Sequence, residues 1–131
     1  MVLVDTSVWI RFLAGKSPYM VELKALLDRE EVAGHELVFG ELLIGDRGGR
    51  KAVLSEYSRI RWLPTNPHRE LVAFVYARRL HGRGAGWTDI HLLASAVIAR
   101  VRFWTADHAL SILAEELGLA YLPPPTRRSH D

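Results

Sequence analysis

The sequence predicts an α/β fold of three layers, α/β/α, with helices on both faces of a central parallel sheet of about four to five short strands. Three observations predict it. Short apolar runs of strand type alternate with helical patterns along the whole chain. Acids follow two of those runs, Asp5 after residues 2–4 and Asp107 after residues 102–105, as they do where strand ends open on a crevice. The stretch 89–100 is apolar almost all round (Ile90, Leu92, Leu93, Ala94, Ala96, Val97, Ile98), which marks a buried helix. The 131 residues, 49% hydrophobic and 24% charged, suit a single domain with its own core. That domain is expected over 1–122, with 123–131 a Pro-rich polar C-terminal tail.

In chain order, Val2-Leu3-Val4 is the first strand, Asp5-Thr6-Ser7 its end, and 8–13 a helix that Gly15 stops. Pro18 opens a second helix, 19–29, with Met20, Leu23, Leu26 and Leu27 as its apolar stripe. A short strand is expected at 31–33, then a turn at Gly34 and His35 into a third helix, 36–45. Residues 46–51 form a polar, glycine-rich loop without the spacing of a phosphate-binding Walker loop. A helix at 52–59 leads to a strand at 60–63. Pro67 then starts a long helix to about residue 81. The loop 82–86 precedes the buried helix, and 120–122 is a last strand. Arg78, Arg79, His81 and Arg83 make the end of the long helix basic, which suits a phosphate backbone and equally suits a helix C-terminus.

Composition sets limits on function. There is no cysteine, hence no disulfide frame and no thiolate zinc site, which fits a reducing cytoplasm. Net charge is only +2, but arginine outnumbers lysine fourteen to three, a bias that suits phosphate contacts and also follows from GC-rich coding. The N-terminus meets Asp5 without a basic leader, so no signal peptide is expected, and no apolar run is long enough for a membrane span.

The acids carry the chemistry. A helix of about twelve residues rises ~18 Å and the strand behind it returns ~13 Å, so Asp89 and Asp107 come to the same end of the unit. Asp5 ends the first strand at that edge, and Glu41 joins the group if its helix packs across it. Each acid has a plainer reading. Asp5 and Asp107 are good N-caps. Glu41, with Leu37, Val38, Ile44 and Gly45 three and four positions away, is expected in the middle of an apolar face, or else lies at the edge of that face or pairs with Arg47 or Arg50. Asp89 is harder to explain so, because Thr88 can already cap that helix. Four acids on one edge repel and raise one another's pKa values, and a divalent cation would relieve this. Oxygen-only ligation points to Mg²⁺ or Mn²⁺ rather than Zn²⁺.

Asp5-Thr6-Ser7-Val8-Trp9-Ile10, Glu41-Leu42-Leu43-Ile44-Gly45, Thr88-Asp89-Ile90-His91-Leu92-Leu93-Ala94-Ser95-Ala96 and Thr105-Ala106-Asp107 resemble, in order and spacing, the PIN domain, and more closely the VapC-type toxins of bacterial toxin–antitoxin pairs. The likeness runs from Val2 to Leu122. It implies a metal-dependent endoribonuclease in which Asp5, Glu41, Asp89 and Asp107 form the acidic pocket. Thr6 and Thr105 would be nearby hydroxyls that orient carboxylates or bound water. It also implies an RNA substrate, a small antitoxin protein and a homodimer. A haloacid-dehalogenase-type enzyme would want a second Asp at position 7, where Ser7 stands. A receiver-like domain would want a late lysine, and lysine occurs only at 16, 24 and 51. A nuclease of RNA processing without an antitoxin, and a non-catalytic binding protein that keeps the fold, are the alternatives.

Overall fold

The computed structural model describes residues 1–125; the end of the expected tail, 126–131, lies outside the described residues. The elements are β1 (Val2–Val4), α1 (Thr6–Leu13), α2 (Tyr19–Asp28), β2 (Val32–Gly34), α3 (Glu36–Ile44), α4 (Lys51–Tyr57), β3 (Arg61–Trp62), α5 (His68–Arg78), α6 (Trp87–Ala99), β4 (Arg102–Trp104) and α7 (His108–Glu116). The four strands form one parallel sheet in the order β3-β2-β1-β4. Because β1 is central, Leu3 pairs with Ala33 on one side and Phe103 on the other, and both β1 and β2 are buried at every position. Continuous apolar strands of this kind are what a sheet covered on both faces requires. Helices α1 to α4 pack in succession, α1 on α2 and α3, and α3 on α4; α5 packs on α6, which lies against β4. The expected strand at 120–122 is reduced to one parallel bridge, Phe103 to Ala120, at the outer edge of β4.

Burial follows the sequence pattern with local exceptions. Helix α6 buries Ile90, Leu92, Leu93, Ala94, Ser95 and Ala96, while Ile98 at its far end is 63% exposed. The long helix after Pro67 ends at Arg78, because Arg79 turns left-handed (φ 54°) and buries Leu80 instead of continuing the helix. Glu41 does not sit mid-face. The buried positions of α3 are Val38 and Leu42, one turn apart, and Glu41 lies on the exposed side with Leu43 and Ile44. Arg50 does not neutralise it, since its guanidinium donates to the Leu42 carbonyl at 2.9 Å.

His35 fixes the start of α3. Its side chain is fully buried, and its Nδ1 accepts the Leu37 N–H at 3.1 Å, an N-cap made by imidazole. An accepting Nδ1 places the ring proton on Nε2, which faces Ser95 Oγ on α6 at 3.1 Å. Ser95 in turn donates to the Pro64 carbonyl, and Asn66 donates to Ser95. The His35 backbone N–H donates to the Tyr57 hydroxyl at 2.8 Å, so the end of β2, α4 and α6 meet in one hydrogen-bonded knot. Burial pushes the His35 pKa down, the Glu36 carboxylate opposes this, and His91 adds a smaller push in the same direction as burial. Gly34 makes room for the knot: a Cβ there would lie 2.7 Å from Trp62 Cδ1 and 3.1 Å from Tyr57 Cε1.

Candidate active site

Parallel strands end on one edge, and the side chains that follow them face a common crevice. β1 delivers Asp5 there and β4 delivers Thr105 and Asp107. The first turns of α1 and α6 bring Thr6, Ser7 and Asp89, and α3 brings Glu41.

Asp5 is the anchor. It occupies the N-cap position of α1 but its side chain caps nothing there, and it is only 6% exposed. Its backbone N–H extends the β1–β4 ladder to the Trp104 carbonyl at 2.8 Å, which sets Asp5 beside Thr105. The Oδ2 atom accepts two hydroxyl protons, from Ser7 at 2.7 Å and from Thr105 at 2.8 Å. Both hydroxyls are held in turn. Ser7 Oγ accepts the Ala106 N–H at 3.0 Å and Thr105 Oγ1 accepts the Asp107 N–H at 3.1 Å. With both protons given to Oδ2, the two hydroxyl oxygens stand 3.3 Å apart without a proton between them. The result is a carboxylate whose plane is fixed from one side and whose other oxygen, Oδ1, accepts from none of the described residues.

The remaining acids are each tied by one oxygen. Glu41 Oε1 accepts the Thr6 hydroxyl at 2.5 Å, a short contact across the α1–α3 packing. Asp107 is the N-cap of α7, its Oδ1 accepting from Leu110 N at 2.8 Å. Asp89 is the third residue of α6, and its Oδ2 accepts the Gly86 N–H at 2.9 Å. The helix therefore starts two residues earlier than the sequence pattern suggests. Thr88 lies inside its first turn and is not the cap, and Asp89 itself serves the helix end. Capping and a place in the acidic group are thus properties of the same side chains.

The electrostatics bind the four together. Burial raises the Asp89 pKa above the usual carboxylate value, the Gly86 N–H opposes this, and the charges of Asp5, Asp107 and Glu41 each raise it further. Among the described residues no three Asp, Glu or His side chains converge closely enough to ligate one ion as they stand. Asp89 and Asp107 each turn one oxygen back onto their own helix and keep the other. The donor chemistry fits a hard divalent cation: carboxylates and hydroxyls at one sheet edge, without thiolate.

Sequence reasoning left Ser7 out of the site, although it shares the Asp5 oxygen with Thr105. The signal was its position two residues past a strand-end acid, where the first helical turn folds back toward that acid. The basic stretch before Asp89 is partly used internally, because Arg83 forms a two-point pair with Glu116 on α7, at 2.6 and 3.1 Å.

Comparison with known proteins agrees with this architecture. The chain is 40% identical over 121 residues to a protein named Ribonuclease VapC32 from two strains of Mycobacterium tuberculosis, across 92% of this chain and 95% of the relative. Two crystal structures share the fold. FitAcB from Neisseria gonorrhoeae has a TM-score of 0.59 at 21% identity, covering 88% of this chain and 94% of that one. PAE2754 from Pyrobaculum aerophilum has a TM-score of 0.55 at 18% identity, covering 89% and 94%. The family model described as the PIN domain matches residues 2–116, from β1 to the end of α7, and so takes in every element that supplies the acidic edge. The chain belongs to the PIN domain family.

Proposed function

We propose that this protein is an endoribonuclease, the toxin of a toxin–antitoxin pair, and that it hydrolyses RNA phosphodiester bonds at the acidic edge. The carrying observation is that Asp89, half-buried at the head of α6, lies within the field of Asp5, Asp107 and Glu41. Such a set is costly when bare and is relieved by a divalent cation. The similarity to Ribonuclease VapC32 over nearly the whole chain supports RNA as the substrate.

Asp5 and Asp89 are the metal ligands in this reading, with Asp107 and Glu41 completing the shell, and Mg²⁺ or Mn²⁺ as the ion. The metal would supply a water of lowered pKa and neutralise charge on the phosphate. The chain's own part is orientation. Ser7 and Thr105 hold Asp5 by Oδ2, which leaves Oδ1 for a ligand, and Thr6 holds Glu41. No helix among the described residues is long and apolar enough to cross a membrane, and we place the protein in the cytoplasm. Residues 1–122 act as one domain. Ile10, Met20 and Val21 are exposed on α1 and α2 and offer a surface for a second copy or for the antitoxin. A monomeric mass in solution without antitoxin would remove the homodimer from this reading.

The test is cleavage of total RNA by the purified chain, with Mg²⁺ or Mn²⁺ present or chelated, beside folded Asp5→Asn and Asp89→Asn. Discrete metal-dependent fragments, lost in both variants, are expected. Metal-independent cleavage, or cleavage retained in both variants, would refute the site.

A further inference from the structure

We propose that the pocket beside Thr105 is a nucleotide subsite, which takes one unstacked guanine of the RNA while Arg11 holds a phosphate next to it. The inference rests on the ribonuclease reading and adds to it where the substrate sequence is read.

The pocket, of about 240 Å³, lies between the start of α2, the end of β4, α7 and the C-terminal segment. It is continuous with the acidic edge through Thr105, which lines the pocket and donates to Asp5. Its walls are aromatic. Tyr19 stacks on Trp104 with ring centroids 5.9 Å apart and planes 23° apart, and Tyr121 meets the same indole at 5.5 Å. Trp104 is only 2% exposed, so the two half-buried tyrosines supply the surfaces a base would touch. The Tyr121 hydroxyl donates to the Glu22 carboxylate, which ties the C-terminal segment to α2 and fixes that wall. RNA bases read outside a duplex are held in this way, stacked on aromatic rings and hydrogen-bonded along their edges.

The polar groups of the pocket select the base. Glu115 and Ser111 of α7 line it. Ser111 gives its proton to the His108 carbonyl at 2.8 Å, so its oxygen is left as an acceptor. The Glu115 carboxylate is acceptor-only. Two acceptors match the adjacent N1–H and N2–H₂ donors of guanine. Uracil offers a single N–H between two carbonyls, which a carboxylate repels. Arg11 lies beside Tyr19, which lines the pocket. One guanidinium nitrogen donates to the Ser7 carbonyl at 3.0 Å and the group lies 5.7 Å from the Tyr19 ring centroid, which pre-orients its other donors for a phosphate oxygen.

The test is titration of the full, isotopically labelled chain with GMP, AMP, CMP and UMP in the presence of chelator, read by amide chemical shifts. GMP is expected to shift Thr105, Ala120 and Tyr121 and to bind at least tenfold more tightly than UMP. Glu115→Gln, at an exposed position, should abolish the preference, and Tyr121→Ala should weaken GMP about tenfold. Arg11→Ala should weaken GMP but not guanosine. On total RNA, cuts should fall at a fixed distance from a guanine, and Glu115→Gln should relax that pattern. Equal affinity for all four nucleotides, or no shift at the pocket, overturns the subsite. The two readings separate cleanly. Metal-dependent cleavage with no nucleotide in the pocket sinks the subsite alone. GMP bound in the pocket of a chain that cuts no RNA leaves the subsite standing and sinks the nuclease.

Discussion

Tyr57→Phe tests the knot that sets α3, and with it Glu41. The Tyr57 ring is 1% exposed, and its hydroxyl accepts from the His35 N–H at 2.8 Å and donates to the His35 carbonyl at 3.3 Å. Burial has pushed its pKa up, so the group is a neutral donor and acceptor at any working pH. Phenylalanine keeps the ring and its contacts with Trp9 and Trp62, so no cavity of note forms. What remains is a fully buried backbone N–H without an acceptor, which costs about 1–3 kcal/mol. For a chain of this size the unfolding entropy near the midpoint is ~0.28 kcal/mol/K, so the melting temperature should fall by about 4–11 °C. The assay is thermal and urea unfolding of both proteins in chelator. The urea m-value should not change, because the folded surface is the same. RNA cleavage per folded molecule should stay within a fewfold of wild type, since the hydroxyl touches no acid. A melting shift under about 2 °C would refute the reasoning. It would mean that the His35 N–H finds another partner and that α3 does not depend on α4 for its starting point.

Further outcomes follow from the same geometry. Gly34→Ala should destabilise by about 1–3 kcal/mol in urea unfolding, because the new Cβ meets the Trp62 and Tyr57 rings and neither is a free chain end. His35 has a folded pKa below its ordinary value, so the unfolded chain binds the proton more tightly. Its contribution is present above about pH 6.5 and is lost as pH falls below it, and stability measured from pH 8 to 5 should decline more steeply than in His35→Asn. Asp89 is the opposite case. Its raised pKa means that the folded chain holds the proton more tightly, so stability is lost as pH rises through the folded pKa. Asp89→Asn, which keeps an oxygen for the Gly86 N–H, should therefore melt higher than wild type at pH 7 in chelator. It should also lose the rise in melting temperature that Mg²⁺ or Mn²⁺ gives wild type.

Much of this molecule was readable from its sequence because its strongest signals are local. The apolar strands at 2–4 and 102–104 and the apolar helix behind Asp89 declare themselves by pattern, and strand-end acids then share an edge by the geometry of parallel sheets. The parts that were not readable depend on partners far away in the chain. Ser7 donates to Asp5 directly, but the Ala106 N–H that holds its hydroxyl in place lies nearly a hundred positions on. His35 is a histidine where a cap of the Ser or Asp type is usual, and only the presence of Ser95, Tyr57 and Leu37 around it turns it into one. Glu41 was misplaced on its helix because Ile44, apolar yet exposed, was counted with Leu37 and Val38 as one apolar face, whereas the buried positions are Val38 and Leu42. Thr88 looked like a cap because Thr is a common one, whereas the two further residues from Trp87 leave Gly86 in that position.

The strand order has a consequence for when the site exists. β1 is the first strand of the sheet to be made and β4 the last, yet they are neighbours, with Val2 opposite Arg102. During synthesis, a chain that has reached the end of α6 already carries Asp5, Ser7, Glu41 and Asp89, but the Thr105 hydroxyl that donates to Asp5 and the Asp107 carboxylate have not been added. The N-terminal strand must wait with one edge unpaired until the last strand arrives, a long-range closure that is slow by nature. The acids of this chain are gathered only once β4 and Asp107 are in place, and a product that stops before β4 carries three of the four acids without the Thr105 hydroxyl that holds Asp5.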